Sequence, residues 1–72
     1  MNVYAPFKSR SETLRLYSVM QNRGYASTVV NTPRREELSC GLSVLFSHRL
    51  THEVRKIIAE LNLKTFYGFY ER

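Results

Sequence analysis

Cys40 is the only cysteine in the 72-residue chain, and few other side chains in it could bond covalently to a substrate. It lies in Leu38-Ser39-Cys40-Gly41-Leu42, shortly after Thr32-Pro33-Arg34-Arg35. A cysteine is nucleophilic as its thiolate, and nearby cations, backbone N–H groups or a helix N-terminus favour that form. Arg34 and Arg35 are close enough in sequence for a folded-back loop to bring a guanidinium to the sulfur. Gly41 removes side-chain bulk beside it and lets a bound group approach the backbone. The competing reading is packing, because free cysteines are among the most buried residue types and act as small hydrophobes. Cys40 leads directly into an apolar run, so it could be the first inward residue of a strand. On chemistry alone, packing carries somewhat more weight.

The other candidates are thinner. His48 and His52, with three residues between them, could share a metal on one helical face. No second pair, aspartate or further cysteine completes a site, so they read as solvated turn histidines, and no metal or other cofactor is expected. Paired carboxylates, a phosphate-binding glycine loop and a Ser/His/Asp set cannot be assembled, and Gly24, Gly41 and Gly68 are isolated. These gaps argue against an enzyme with a full catalytic site. They leave open whether the lone thiol works or merely packs.

The elements that must position the thiol follow from the hydrophobic period. Asn2 to Phe7 alternates, with Val3, Ala5 and Phe7 on one side, as in a strand. Ser9 and Glu12 have capping-box spacing and open a helix carrying Leu14, Leu16, Tyr17, Val19 and Met20. Gly24 suits the left-handed position past its end. Tyr25 to Thr32 is rich in β-branched residues and reads as a second strand, which Pro33 stops. The polar stretch from Pro33 to Gly41 reads as a loop or short helical turn, and Leu42 to Ser47 as a third strand. Val54, Ile57, Ile58 and Leu61 form the stripe of an amphipathic helix, with Thr51 as its expected cap and Glu53 in its first turn. Lys64 to Tyr70 alternates again and reads as a fourth strand.

The order is therefore βαββαβ. It implies an α+β, ferredoxin-like fold: a four-stranded antiparallel sheet with two helices on one face, formed by one domain over residues 1–72. A chain this short buries about 60% of its unfolded surface and has no room for a deep cleft. One cysteine cannot form an internal disulfide, so packing alone must hold the domain, and a reducing compartment is the simplest setting. With no basic-then-apolar leader and no long uncharged apolar run, the expected location is the cytoplasm, with no membrane contact.

Eleven Lys/Arg against six Glu give a charge of +5. The basic residues are spread along the chain, which describes a solvated surface better than a nucleic-acid footprint. An RNA-recognition fold shares this topology and stacks bases on aromatics of its central strands. Here the third strand would present Ser43, Leu45 and Ser47, so RNA is the weaker reading. If Val3, Phe7, Val44, Phe46 and Phe66 face the helices, then Tyr4, Leu45, Tyr67 and Phe69 point to the uncovered face. Open apolar sheet faces mark interfaces, so a homodimer or a protein partner through these four is the non-covalent alternative.

Asn31-Thr32-Pro33-Arg34, followed by Ser39-Cys40-Gly41-Leu42-Ser43-Val44, resembles the signature of the selenium/sulfur (Se/S) carrier protein-like family of small bacterial domains. The resemblance runs from the first strand to the aromatic Tyr67-Gly68-Phe69-Tyr70 end. It implies that Cys40 holds sulfur or selenium as a persulfide or selenosulfide, receiving it from a donor protein and passing it to an acceptor. By the same resemblance Arg34 and Arg35 stabilise the thiolate, and Pro33 fixes the turn that aims the arginine. Gly41 leaves room for the extra chalcogen, while Thr32 and Ser39 complete the binding residues. The chain departs from the pattern at Arg35-Glu36-Glu37, where small hydroxyl residues are common in the relatives. Carboxylates there oppose a thiolate.

Overall fold

A computed structural model describes residues 1–33 and 40–72. Its elements are β1 (Val3–Pro6), α1 (Arg10–Asn22), β2 (Ser27–Asn31), β3 (Leu42–Phe46), a 3-10 turn (His48–Leu50), α2 (Thr51–Glu60) and β4 (Tyr70–Glu71). The strands form one antiparallel sheet in the order β2-β3-β1-β4. With two helices between them this is the α+β, ferredoxin-like arrangement that the hydrophobic pattern implies. Val3, Ala5 and Phe7 from β1 and its end join Val44 and Phe46 from β3, against Leu16 and Met20 of α1 and Val54, Ile57 and Ile58 of α2. The core thus lies between one sheet face and both helices.

Local chemistry sets the helix boundaries. The Ser9 hydroxyl accepts the Glu12 N–H at 3.2 Å and caps α1. At the other end Tyr25 N–H bonds Met20 O and Gly24 N–H bonds Gln21 O, with Gly24 at φ +78°. This pair of bonds is a Schellman ending, and its left-handed residue strongly favours glycine. Asn62, at φ 55°, closes α2 in the same way through Leu63 N–H to Ile58 O and Asn62 N–H to Ala59 O. Two details differ from expectation. Thr51 is not the cap of α2 but its first residue, and its hydroxyl donates to His48 O at 2.8 Å. The chain enters α2 through the 3-10 turn, whose own cap is Ser47. Leu14, expected on the buried face of α1, is exposed, while Thr13 is fully buried.

The last strand departs most from its expected form. Phe7 lies opposite Phe66, and three residues back along β1 Tyr4 lies opposite Tyr70, four residues on. The outer segment therefore carries one extra residue, which is the geometry of a bulge. Gly68, at φ +113°, falls within it. Because side chains alternate along a strand, one inserted residue moves everything beyond it to the other face. Phe69 consequently packs inward, edge-on against Phe46 at 5.8 Å and Phe66 at 4.8 Å, with Arg55 over its ring. Tyr70 turns outward and stacks on Tyr4 at 5.6 Å.

This corrects the interface expected on the sheet. Tyr4 and Leu45 do face away from the helices, but they are only 5% and 4% exposed, and Phe69 belongs to the helix side. Tyr67 is half-buried, and its carbonyl accepts the Tyr70 hydroxyl at 3.1 Å. The four residues do not form an open apolar patch, so the dimer argument loses its surface. Tyr4→Ala is accordingly expected to destabilise the monomer by about 2–4 kcal/mol, the loss of a buried aromatic. Urea denaturation at two protein concentrations checks this, and an unchanged midpoint would contradict the burial of Tyr4.

Candidate functional site around Cys40

Cys40 enters β3 beside the end of β1. Its N–H donates to Phe7 O at 3.1 Å, and Thr32 N–H donates to Gly41 O at 2.8 Å, which continues the pairing of β2 with β3 past Leu42. Gly41 has φ +86°, a left-handed conformation that side chains with a Cβ rarely adopt. The glycine beside the thiol is therefore needed for the turn into the strand.

The sulfur points to the helix side of the sheet and is half-buried. It lies 3.6 Å from the Thr13 hydroxyl of α1 and 3.6 Å from the carbonyl oxygen of Leu42. Thr13 is fully buried, and its hydroxyl is also 3.2 Å from Ser9 O as donor. Buried hydroxyls need such partners. Sequence reasoning missed Thr13. The available signal was a polar residue at the head of the buried stripe Thr13, Leu16, Met20, where an apolar side chain would pack without cost.

The other expected site residues divide. Thr32 is buried and its hydroxyl meets Ser43 Oγ at 2.7 Å, on the sheet face opposite the helices. Its side chain and the Cys40 sulfur thus sit on different faces. Pro33 is exposed. Arg34, Arg35 and Ser39 lie outside the described residues. Neither histidine approaches the thiol: both are exposed, and His48 instead accepts from the Asn2 side-chain amide through Nδ1 at 3.3 Å and donates its backbone N–H to Asn2 Oδ1 at 2.9 Å. Among the described residues no group of three His, Cys, Asp or Glu could hold a metal ion. No helix in them is long and apolar enough to cross a membrane.

A second cluster fixes the helix that carries Thr13. The capping-box spacing implies that Glu12 reaches back to Ser9. Its carboxylate instead accepts Thr65 N–H at 2.9 Å, the Thr65 hydroxyl at 2.8 Å and Lys64 N–H at 3.1 Å. The Thr65 hydroxyl in turn accepts Ser9 N–H at 3.1 Å, so that donor finds its partner on the C-terminal segment. Lys8 N–H to Thr65 O, at 2.9 Å, closes the seam. Partial burial pushes the Glu12 carboxyl up, but the Thr65 and Lys64 hydrogen bonds, helped by the Arg15 charge, outweigh it. The carboxyl is held below the ordinary glutamate value.

One further concavity, of about 200 Å³, is lined by Arg23, Tyr25, Glu53, Lys56 and Glu60. Arg23 caps the far end of α1, away from the thiol, and pairs with Glu60 at 3.2 Å. Cys40 does not line this hollow.

The fold and its single thiol define a small α+β protein whose one cysteine stands at the entry to a central strand. The chain belongs to the family described as "Putative Se/S carrier protein-like", whose model matches residues 2–71. No curated protein and no solved structure matches it.

Proposed function

We propose that this protein carries sulfur or selenium on Cys40, between a donor and an acceptor protein. The observation that carries the reading is the placement of the chain's only thiol: half-buried, at the entry to β3, in a member of a Se/S carrier-like family. The step is an exchange. The Cys40 thiolate attacks the outer sulfur of a donor persulfide, the donor's S–S bond breaks, and its inner sulfur leaves as a thiolate. Cys40 then bears the persulfide. Discharge repeats the exchange in the other direction: an acceptor thiolate attacks the outer chalcogen and Cys40 leaves as thiolate. Electrons balance without an external oxidant, and selenium follows the same course.

In this reading Arg34 and Arg35 favour the thiolate, Gly41 leaves room for the carried atom, and Thr32, Pro33 and Ser39 complete the binding residues. A free working thiol fits a reducing compartment such as the cytoplasm. The expected result is that incubation with a cysteine desulfurase and cysteine adds the mass of one sulfur atom to wild type and none to Cys40→Ser. Intact-protein mass spectrometry reads it directly. If wild type and Cys40→Ser finish with the same sulfur content, the carrier reading is removed.

A further inference from the structure

We propose that the Thr13 hydroxyl is the hydrogen-bond donor that stabilises the Cys40 thiolate, by turning from the Ser9 carbonyl to the sulfur. The inference rests on Cys40 being the working thiol of the carrier reading. Thr13 occupies a fully buried position on the apolar stripe of α1, one turn ahead of Leu16. A hydroxyl there has one proton to give and two groups within reach: Ser9 O at 3.2 Å and Cys40 Sγ at 3.6 Å. The Ser9 carbonyl also accepts the backbone N–H of Thr13 at 3.2 Å. It therefore keeps a partner when the hydroxyl turns away, and the turn leaves no orphaned acceptor.

The second neighbour of the sulfur makes the donor necessary. Leu42 O, at 3.6 Å, can only accept. It suits the S–H of the neutral thiol and repels the thiolate. When the proton leaves to solvent, the Leu42 contact becomes unfavourable, and the sulfur needs a donor in its place. Among the described residues, Thr13 is the side chain in position to supply one. Hydrogen bonds to an ionised partner are roughly twice as strong as neutral ones, so the hydroxyl gains by following the charge. One buried side chain thus serves both states: its hydroxyl donates to the Ser9 carbonyl while the thiol donates to Leu42 O, and donates to the sulfur once the thiolate forms.

The test is the rate of Cys40 alkylation by iodoacetamide as a function of pH in the folded protein. Thr13→Val removes the hydroxyl and nearly keeps the shape, and is expected to move the midpoint of the profile up by about one unit. A more basic thiolate is also a better nucleophile, with a Brønsted slope of about 0.4–0.5. Below the midpoint Thr13→Val should therefore react about three- to fourfold more slowly than wild type, and above it faster, so that the two profiles cross. Looser packing around the sulfur would raise the rate at every pH and give no crossing. Thr13→Ser keeps the hydroxyl and should follow wild type.

Should Thr13→Val fail to fold, Thr13→Ser against Thr13→Ala isolates the hydroxyl on a common background that lacks the methyl group. A shared midpoint for wild type and Thr13→Val, or Thr13→Ser following Thr13→Ala, overturns the proposal. Alkylation needs no sulfur donor, so the two readings fail separately. A chain that never takes sulfur but shows the crossing loses the carrier role and keeps Thr13 as the thiolate's donor.

Discussion

Phe7→Ala is expected to destabilise the fold by about 3–5 kcal/mol, the cost of removing a buried phenylalanine ring. Phe7 has no exposed surface, and its ring packs 5.5 Å from Phe66. Stability for a chain of this size runs at roughly 0.05–0.15 kcal/mol per residue, so the loss removes a large part of the total. The same residue holds the site, because its carbonyl accepts the Cys40 N–H at 3.1 Å. Loss of the ring should therefore speed native-state alkylation of Cys40, as the β1–Cys40 bond opens more often by local unfolding. Phe7→Leu, which nearly fills the space, should cost about 1.5 kcal/mol or less and leave the alkylation rate close to wild type. Equilibrium urea denaturation and timed alkylation read the two effects. If Phe7→Ala matched wild type in stability, the assignment of Phe7 to the packed core would be wrong.

That coupling between core and thiol shows what the sequence could and could not reveal. The alternation of Val3, Ala5 and Phe7 and the stripe of Val54, Ile57 and Ile58 are one-dimensional signals, and they lead directly to the fold. The bulge between Phe66 and Tyr70 is not such a signal. Register depends on which residues of β1 the segment meets, and a single inserted residue leaves the local pattern unchanged while sending Phe69 to the other face. Leu45 and Tyr4 point away from the helices as the alternation implies, yet they are buried. Their cover is a tertiary property that period-two reasoning does not contain. The site divides in the same way. Cys40 stands out as the only thiol, whereas its partner Thr13 lies 27 residues away in sequence and meets it only when α1 lies on the sheet.

Glu12→Gln is expected to destabilise the protein by about 1–2 kcal/mol at neutral pH, a modest figure because the carboxylate is partly exposed and solvent weakens its bonds. The substitution leaves the cap of α1 in place, since Ser9 Oγ accepts the backbone N–H of residue 12 and not its side chain. What it weakens is the seam to Lys64 and Thr65. The pH dependence has a definite sign. The folded carboxyl is held below the ordinary glutamate value of 4.5. Its contribution is thus complete above that value and is lost as the pH falls through the lower folded value. The stability gap between wild type and Glu12→Gln should be full at neutral pH and close progressively below 4.5. A gap that does not change with pH would assign the loss to shape instead of charge. A negative charge in the first turn also favours the helix dipole, by about 0.3–1 kcal/mol, and this too would fade on protonation. Hydrogen exchange separates the two sources. Loss of the dipole term alone leaves the Lys64 and Thr65 amides protected, whereas loss of the clamp exposes both. Because the seam also fixes the turn of α1 that carries Thr13, opening it should disturb the neighbourhood of Cys40 from the far side of the helix start.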